Sequence, residues 1–166
     1  MSRAFVREPD GDQVGDDQPE IPVSPHPNYV TPAGFAALER ALQQRRGRRG
    51  ELRDADGVAD KSELAQLARE IRYYEARRAS AILIPSARQP RARVGFGALV
   101  EFEDESGARL RYRIVGEDEA APERGSISHV SPLARAAIGA ECGDVLTWAR
   151  PSGDLELEVV AISYPD

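Results

Sequence analysis

The fold of this chain is decided by residues 31–52, which read TPAGFAALERALQQRRGRRGEL, and by residues 60–81, which read DKSELAQLAREIRYYEARRASA. Thr31 can cap a helix that begins at Pro32, because threonine is a good N-cap and proline fits the first helical turn. Seam residues then recur at alternating steps of three and four, which is typical of a heptad repeat. They are Phe35, Leu38, Leu42, Arg45, Arg49 and Leu52 in the first stretch, and Leu64, Leu67, Ile71, Tyr74, Arg78 and Ala81 in the second.

The two seams match when the second helix runs antiparallel to the first. Pairing the seam residues in reverse order, beginning with Leu52 against Leu64, keeps a constant register along both stretches. The turn between the helices then falls near Val58. We therefore predict an antiparallel α-helical hairpin, a coiled coil, over residues 29–84, with its tip near residues 54–63.

The hydrophobic pattern changes beyond the hairpin. A linker with two prolines is predicted over residues 85–93, and residues 94–166 then show the alternation of apolar and polar side chains that strands have. The predicted strands are residues 99–103, 109–115, 126–130, 145–150 and 155–164, and a short helix over 133–138 begins after Ser131-Pro132. The sequence thus predicts an α+β protein whose globular half is a small, mainly antiparallel sheet with one short helix.

Composition excludes several classes of protein. The chain has 166 residues and a formal net charge of −6, and its longest apolar run is five residues or fewer, far below the roughly 20 of a membrane span. One cysteine, Cys142, and two histidines, His26 and His129, are too few for a disulfide framework or an ordinary zinc site. No signal peptide is recognisable, so we expect a cytoplasmic protein with no membrane partner and no metal of its own.

Charge is distributed unevenly along the chain. Residues 1–28 carry two basic and six acidic groups with little apolar pattern, which predicts a disordered acidic tail. Residues 29–90 carry twelve basic and eight acidic groups. Five of the basic groups form a candidate patch on the first helix, namely Arg45, Arg46, Arg48, Arg49 and Arg53. Such a patch can contact phosphates without reading a base sequence, or it can simply be a solvated helix face.

The C-terminal half resembles the bacterial transcript cleavage factors GreA and GreB. The resemblance is carried by Phe96-Gly97-Ala98, by Tyr112 to Gly116, by Ser131 to Ala136, by Gly143-Asp144-Val145 and by Val159 to Tyr164. The opening residues 1–8 are also similar to the start of some GreB-type proteins. The resemblance covers residues 29–166 and is strongest from Val94 onward. It implies a coiled-coil hairpin followed by an FKBP-like antiparallel-sheet domain.

The resemblance also implies a partner. In this family the hairpin enters the secondary channel of RNA polymerase, and the globular domain binds the rim of that channel. Ser131, Pro132 and Arg135 match positions near the family's polymerase-binding surface. The five arginines of the first helix would then lie near the 3′ end of the RNA in a backtracked complex.

The resemblance further implies a role for two acids at the hairpin tip. The family motif there is Asp-x-x-Glu-Asn; Asp60 and Glu63 match both acids, and Leu64 replaces the asparagine. The two carboxylates would help to hold a Mg²⁺ ion and a water molecule in the polymerase active centre, because Mg²⁺ prefers oxygen ligands. The polymerase would then cleave the RNA, so the protein is not itself an enzyme and has no cofactor of its own.

Simpler interpretations and two further functions stay open. An acid followed three residues later by Glu63 also fits a capping box at the start of the second helix, and Ser131-Pro132 also fits a helix start. The second arm is about ten residues shorter than in GreA or GreB and the first about four, and a loss of roughly one heptad per arm would reduce the reach by about 10 Å. A regulator that occupies the channel without stimulating cleavage, as the short-armed relative Rnk does, is therefore the first alternative. A prolyl isomerase of FKBP type is the second, and the oligomeric state is left open.

Overall fold

The computed structural model describes residues 18–55 and 60–165, and two long helices dominate its N-terminal half. Helix α1 spans Pro32–Asp54 and helix α2 spans Lys61–Ser80. Thr31 is the N-cap of α1, as predicted, because its Oγ1 accepts a hydrogen bond from the backbone N–H of Gly34 over 3.0 Å. The predicted turn at Val58 and the first 17 residues of the predicted tail lie outside the described residues.

The two helices form the predicted antiparallel hairpin. Glu39, early in α1, pairs with Arg78, late in α2, over 3.3 Å. Arg48, late in α1, pairs with Glu63 in the first turn of α2 over 2.8 Å. With 20 residues in the shorter helix, each arm is about 30 Å long at about 1.5 Å per residue.

The seam between the helices agrees with the heptad pattern over its central part and departs from it at the base. Apolar seam residues buried between the helices are Leu38, Leu42, Leu67 and Ile71. At the base, the predicted seam residue Arg78 has a side chain 51% exposed, whereas the side chain of Arg77 is only 2% exposed. This end of α2 packs against acids of the globular domain as well as against α1, and those acids favour the burial of Arg77.

A small sheet that the sequence pattern did not indicate closes the base of the hairpin. Strand β1, Tyr29–Val30, precedes α1, and strand β2, Ile82–Leu83, follows α2. The two strands pair in parallel, with Tyr29 opposite Ile82. Both ends of the hairpin are therefore held together where they join the rest of the chain.

The globular domain contains a five-stranded sheet and one short helix. Its strands are β3, Leu99–Asp104; β4, Arg109–Val115; β5, Ser126–Ser128; β6, Val145–Trp148; and β7, Leu155–Ser163. Their order across the sheet is β5-β4-β3-β7-β6, and only β4 and β5 pair in parallel. The predicted α+β class and the mainly antiparallel sheet are confirmed.

Helix α3, Pro132–Ala137, covers one face of this sheet. Its apolar side is buried in the same cluster as the central strands, whose members include Val100, Phe102, Leu133, Leu157 and Val159. Burial of each such side chain contributes about 1.5–3 kcal/mol. None of the buried residues described for this cluster lies on α1 or α2, so the core of the globular domain is separate from the hairpin seam.

Residues 18–28, here named the N-terminal strap, contain neither helix nor strand but lie along α2. Asn28 is buried and donates from Nδ2 to the carbonyl oxygen of Arg77 over 2.7 Å. At the other end of the strap, Glu20 pairs with Arg72. The strap is the described part of the predicted tail over residues 1–28, and the sequence alone carried no signal for these contacts.

Candidate functional site

Asp60 is the N-cap of α2, at the far end of the hairpin from the globular domain. Its Oδ1 accepts a hydrogen bond from the backbone N–H of Ser62 over 2.9 Å, and its carbonyl oxygen accepts from Leu64 N over 3.0 Å. The simpler interpretation of this residue, a helix cap, is therefore realised in the structure. Only Oδ1 makes this contact, and the residue as a whole is exposed.

Glu63 does not complete a capping box with Asp60. Its Oε1 instead accepts a hydrogen bond from Nε of Arg48 over 2.8 Å, across the gap between the two helices. The side chain of Glu63 remains 38% exposed and that of Arg48 49% exposed. Two carboxylates thus lie at the start of α2, each with one side-chain contact to the described part of the chain and with solvent access.

The predicted basic patch is divided into paired and unpaired arginines. Arg45 pairs with Glu70 through Nε over 2.6 Å, and its guanidinium also lies 4.5 Å from the centre of the Tyr74 ring. Arg46 pairs with Glu75 over 2.6 Å. Together with the Arg48 contact to Glu63, three of the five positive charges are thus compensated by acids of α2.

The remaining two arginines of the patch lie nearer to the tip. Neither Arg49 nor Arg53 has an ion pair or side-chain hydrogen bond with the part of the chain that the structure describes. Arg53 is exposed in the last turn of α1, and Arg49 is half-buried one turn earlier. Uncompensated positive charge of the patch is therefore concentrated at these two side chains, on the tip half of α1.

The three predicted polymerase-binding residues lie together at α3, on the globular domain. Ser131 is the N-cap of this helix, and its Oγ accepts from the backbone N–H of Ala134 over 3.3 Å. Pro132 and Arg135 are exposed, whereas Leu133 is buried in the core. The apolar side of α3 thus holds the helix in place and leaves Pro132 and Arg135 on the surface.

An acidic turn over Glu117–Glu119 contacts the base of the hairpin, and the sequence analysis missed it. Arg77 donates from Nε to Oδ2 of Asp118 over 2.6 Å and lies 3.8 Å from Oε2 of Glu117. The hydroxyl of Tyr73 donates to Oδ1 of Asp118 over 2.5 Å. Burial, together with the neighbouring Asp118 carboxylate, raises the pKa of the Tyr73 phenol.

The third acid of this turn contacts the start of α1. Oε1 of Glu119 accepts a hydrogen bond from Oγ1 of Thr31 over 2.5 Å, and Oε2 accepts from the backbone N–H of Thr31 over 3.2 Å. The same carboxylate approaches Gly34 so closely that a Cβ there would lie 2.1 Å from Cδ of Glu119. The only signal in the sequence was a run of three acids after β4, which by itself names no partner.

His129 and Cys142 do not belong to either group of candidate site residues, at the hairpin tip or at α3. His129 is buried, with its ring 5.2 Å from that of Tyr29 and 5.7 Å from that of Phe96, and burial lowers its pKa. Cys142 is exposed and forms no disulfide. Within residues 18–55 and 60–165, no three histidine, cysteine or carboxylate side chains are grouped so that they could hold a metal ion. No helix in these ranges is long and apolar enough to span a bilayer.

Comparison with known proteins gives consistent matches. The family model described as "Transcription elongation factor, GreA/GreB, C-term" matches residues 89–164. A GreA from Methylococcus capsulatus is 42% identical over 118 residues, which are 69% of this chain and 75% of that protein. A GreB from Haemophilus influenzae is 34% identical over 152 residues, which are 82% of this chain and 96% of that protein. Among solved structures, Gfh1 from Thermus aquaticus is 30% identical with a TM-score of 0.41, covering 81% of this chain and 97% of that one.

Proposed function

The chain belongs to the GreA/GreB family of transcription elongation factors, and on this premise we propose that it binds bacterial RNA polymerase at the secondary channel and stimulates cleavage of backtracked RNA. The carboxylates of Asp60 and Glu63 would act in trans, inside the polymerase active centre. The hydrolysis itself would be carried out by the polymerase, in the bacterial cytoplasm. The family membership supports the elongation-factor role, and the positions of the two acids support the cleavage role.

The observation that carries the proposal is the place of the two acids on the hairpin. Asp60 and Glu63 lie in the first turn of α2, whereas the last turn of α2 contacts the globular domain through Arg77. The acids are therefore separated from that domain by most of a helix about 30 Å long. A hairpin that enters a channel tip first would present these two carboxylates, with Asp54 at the end of α1, ahead of the acids nearer the base.

The carboxylates of Asp60 and Glu63 fit a magnesium site that is shared with another protein, but they are too few to complete such a site alone. Carboxylate oxygens are the ligands that Mg²⁺ prefers, and one or two protein carboxylates per ion are usual. A Mg²⁺ ion in such a site supplies charge stabilisation at the phosphate and lowers the pKa of a bound water. Asp60 would offer Oδ2, since Oδ1 already accepts from Ser62, and Glu63 would offer Oε2. The remaining ligands would come from the polymerase.

The other predicted contacts are consistent with this orientation. Arg49 and Arg53 lie on the tip half of α1 and have no described acidic partner, so they are available to RNA phosphates near the 3′ end. Contacts to phosphate need no base sequence, as a general elongation factor requires. Pro132 and Arg135 are exposed on α3, with Ser131 as its cap, and would face the channel rim.

One observation favours a second candidate, a regulator that occupies the channel without stimulating cleavage. Both tip acids already have partners within the hairpin, Ser62 for Asp60 and Arg48 for Glu63. Together with the short arms, these contacts would allow the hairpin to fill the channel while its carboxylates stay short of the ion. Ligation requires a metal–oxygen distance of about 2 Å, so a hairpin that ends even a few ångströms short of the ion would not coordinate it.

Cleavage of RNA in a stalled, backtracked polymerase complex tests the proposal. The variants Asp60→Asn and Glu63→Gln, alone and together, remove the charges while Asn at position 60 can still cap α2. Asp54→Asn removes a charge from an exposed acid at the tip end of α1 and serves as the matched control. We expect the native chain and the Asp54 variant to release short 3′ fragments from labelled RNA, and the double variant to release none.

The second candidate predicts a different result in the same assay. The native chain would release no fragments but would compete with a full-length GreA for the polymerase, and the tip variants would compete equally well. Failure to bind the polymerase at all would contradict both candidates. A competition measurement with labelled GreA therefore accompanies the cleavage assay.

A further inference from the structure

The N-terminal strap is a stiff segment that is anchored at one end. Asn28 is 4% exposed, and its Nδ2 donates to Ser80 Oγ over 3.2 Å as well as to the carbonyl oxygen of Arg77. Residues 18–28 contain four prolines, at positions 19, 22, 25 and 27. Proline restricts the unbound chain, so a strap of this composition loses little conformational freedom when it lies against a helix. The anchor and the prolines direct the strap along α2.

At the other end of the strap, two side chains accept hydrogen bonds from arginines of α2. The carboxylate of Glu20 accepts from Nη2 and Nε of Arg72 over 2.5 and 3.0 Å, a two-pronged contact. The side-chain oxygen of Gln18 accepts from Nη2 of Arg69 over 2.5 Å. The hydrogen bond from Arg72 holds the pKa of Glu20 below its usual value, so this carboxylate is charged at neutral pH.

The contacts of Glu20 with Arg72 are weak enough to be displaced. The side chains of Glu20 and Arg72 are 61% and 51% exposed, and exposed ion pairs of this kind contribute little to stability and weaken with salt. The anchor at Asn28 nevertheless keeps the strap close to its site, which gives it a high effective concentration there. A ligand that makes several contacts at once can therefore displace residues 18–20, whereas a single small anion cannot do so readily.

We propose that Arg69 and Arg72 form a phosphate-binding pair for RNA, and that Gln18 and Glu20 of the same chain occupy this pair in the free protein. The strap is then an intramolecular competitor that limits binding of RNA to the hairpin outside the polymerase. Inside the complex, RNA phosphates displace it. This inference rests on the proposed function in one respect, the identification of RNA as the polyanion.

The geometry favours phosphate over a protein surface. A guanidinium that holds a carboxylate through two parallel donors presents the same pair of donors to two oxygens of a phosphate. Arg69 and Arg72 are three residues apart on one helix and are therefore neighbours on its surface, spaced for successive phosphates of one strand. Residues 1–28 carry six acidic and two basic groups, and this net negative charge repels RNA.

Binding of a fluorescein-labelled, single-stranded RNA of mixed sequence to the full chain, without polymerase, tests the proposal. Glu20→Gln should tighten RNA binding about twofold to fivefold, the strength of an exposed ion pair. The slope of log Kd against log salt should steepen by about 0.7, the value for one added phosphate contact on a single strand. The matched control is Glu105→Gln, which removes one charge from an exposed loop of the globular domain. Circular dichroism verifies that each variant is folded.

A second pair of variants identifies the site. In an Arg72→Gln background, Glu20→Gln should give no further gain in RNA affinity, because the competitor and the site act on the same guanidinium. Equal gains from Glu20→Gln and Glu105→Gln would overturn the proposal, since net charge alone would then explain them. So would a gain that persists in the Arg72→Gln background, or no RNA binding by any variant.

The last measurement is binding of the same variants to RNA polymerase in the absence of RNA. If Glu20→Gln tightens binding to the polymerase but not to RNA, the two arginines contact protein and the proposal is wrong. None of these measurements uses the tip carboxylates or cleavage. A failure of the cleavage assay would therefore leave the result on the strap intact, and the two inferences can fail separately.

Discussion

The guanidinium of Arg77 donates from Nε to Oδ2 of Asp118 over 2.6 Å, and the Arg77 side chain is only 2% exposed. This contact joins the last turn of α2 to the acidic turn over Glu117–Glu119. Because a buried guanidinium is costly without acceptors, the contact constrains the hairpin relative to the sheet. Any function that requires the tip to be aimed by the globular domain depends on it.

Replacing Arg77 should therefore destabilise the protein strongly. Arg77→Met keeps much of the volume but leaves Asp118 without its buried partner, and breaking one side of such a pair costs about 3–5 kcal/mol. Asp118 is 15% exposed, so we expect the lower end of that range. The neighbouring Arg78→Met, at an exposed arginine, should change stability by less than about 0.5 kcal/mol. Thermal unfolding of both variants measures the difference, and equal effects would contradict the assignment.

Gly34→Ala should destabilise the protein, contrary to the usual effect of this substitution in a helix. Alanine normally stabilises a helix interior by about 1 kcal/mol relative to glycine. At Gly34, however, the new Cβ would lie 2.1 Å from Cδ of Glu119 and would displace the carboxylate that accepts from Thr31. At Gly47 and Gly50 a Cβ would meet nothing within 4 Å, so alanine there should stabilise α1. Chemical denaturation measures the change in unfolding free energy for each of the three variants. Stabilisation by Gly34→Ala would refute the close contact.

Asp60 should stabilise the first turn of α2 whether or not it acts in the polymerase. Asp60→Ala removes the acceptor for Ser62 N and should cost about 1 kcal/mol of helix stability, whereas Asp60→Asn should cost little. Amide hydrogen exchange at Ser62 and Leu64 reports on this turn directly. The cap assignment fails if alanine and asparagine give the same exchange rates as the native chain.

Stability should fall on mild acidification because of His129. Burial lowers its pKa below the ordinary value of 6.5, so below about pH 6.5 the unfolded chain binds a proton that the folded chain resists. The loss begins near pH 6.5 and continues until the folded-state pKa is passed. His129→Phe should reduce the slope of the unfolding free energy against pH in this window. Identical slopes in the native chain and the variant would argue against the burial effect.

Most of the local structure could be predicted from the sequence. Thr31 and Pro32 mark the start of α1, and the heptad residues Leu38 and Ile71 are buried between the helices, because caps and helical periodicity act within a few residues. The strands of the sheet likewise follow from alternation. Strand β5 is shorter than predicted, and β1 and β2 were missed, because two residues are too few to show a period.

The candidate site could be predicted in its residues but not in their partners. The family resemblance named Asp60 and Glu63 as tip acids, and their spacing indicated the helix cap that Asp60 forms, yet nothing in the sequence paired Glu63 with Arg48. The five arginines were alike in the sequence. Only the antiparallel packing of α2 brings acids to three of them and leaves Arg49 and Arg53 without a described acidic partner.

By itself the sequence determined the hairpin, the sheet and the positions of the tip acids, since each depends on interactions between near neighbours or on a repeated pattern. The tertiary structure alone decided which arginine of the pair Arg77 and Arg78 is buried, why position 34 must be glycine, and where residues 18–28 lie. These outcomes depend on Asp118, Glu119 and Arg72, which are 41, 85 and 52 residues away from their partners. Contacts over such separations are selected by the packing of whole elements and leave no local pattern in the chain.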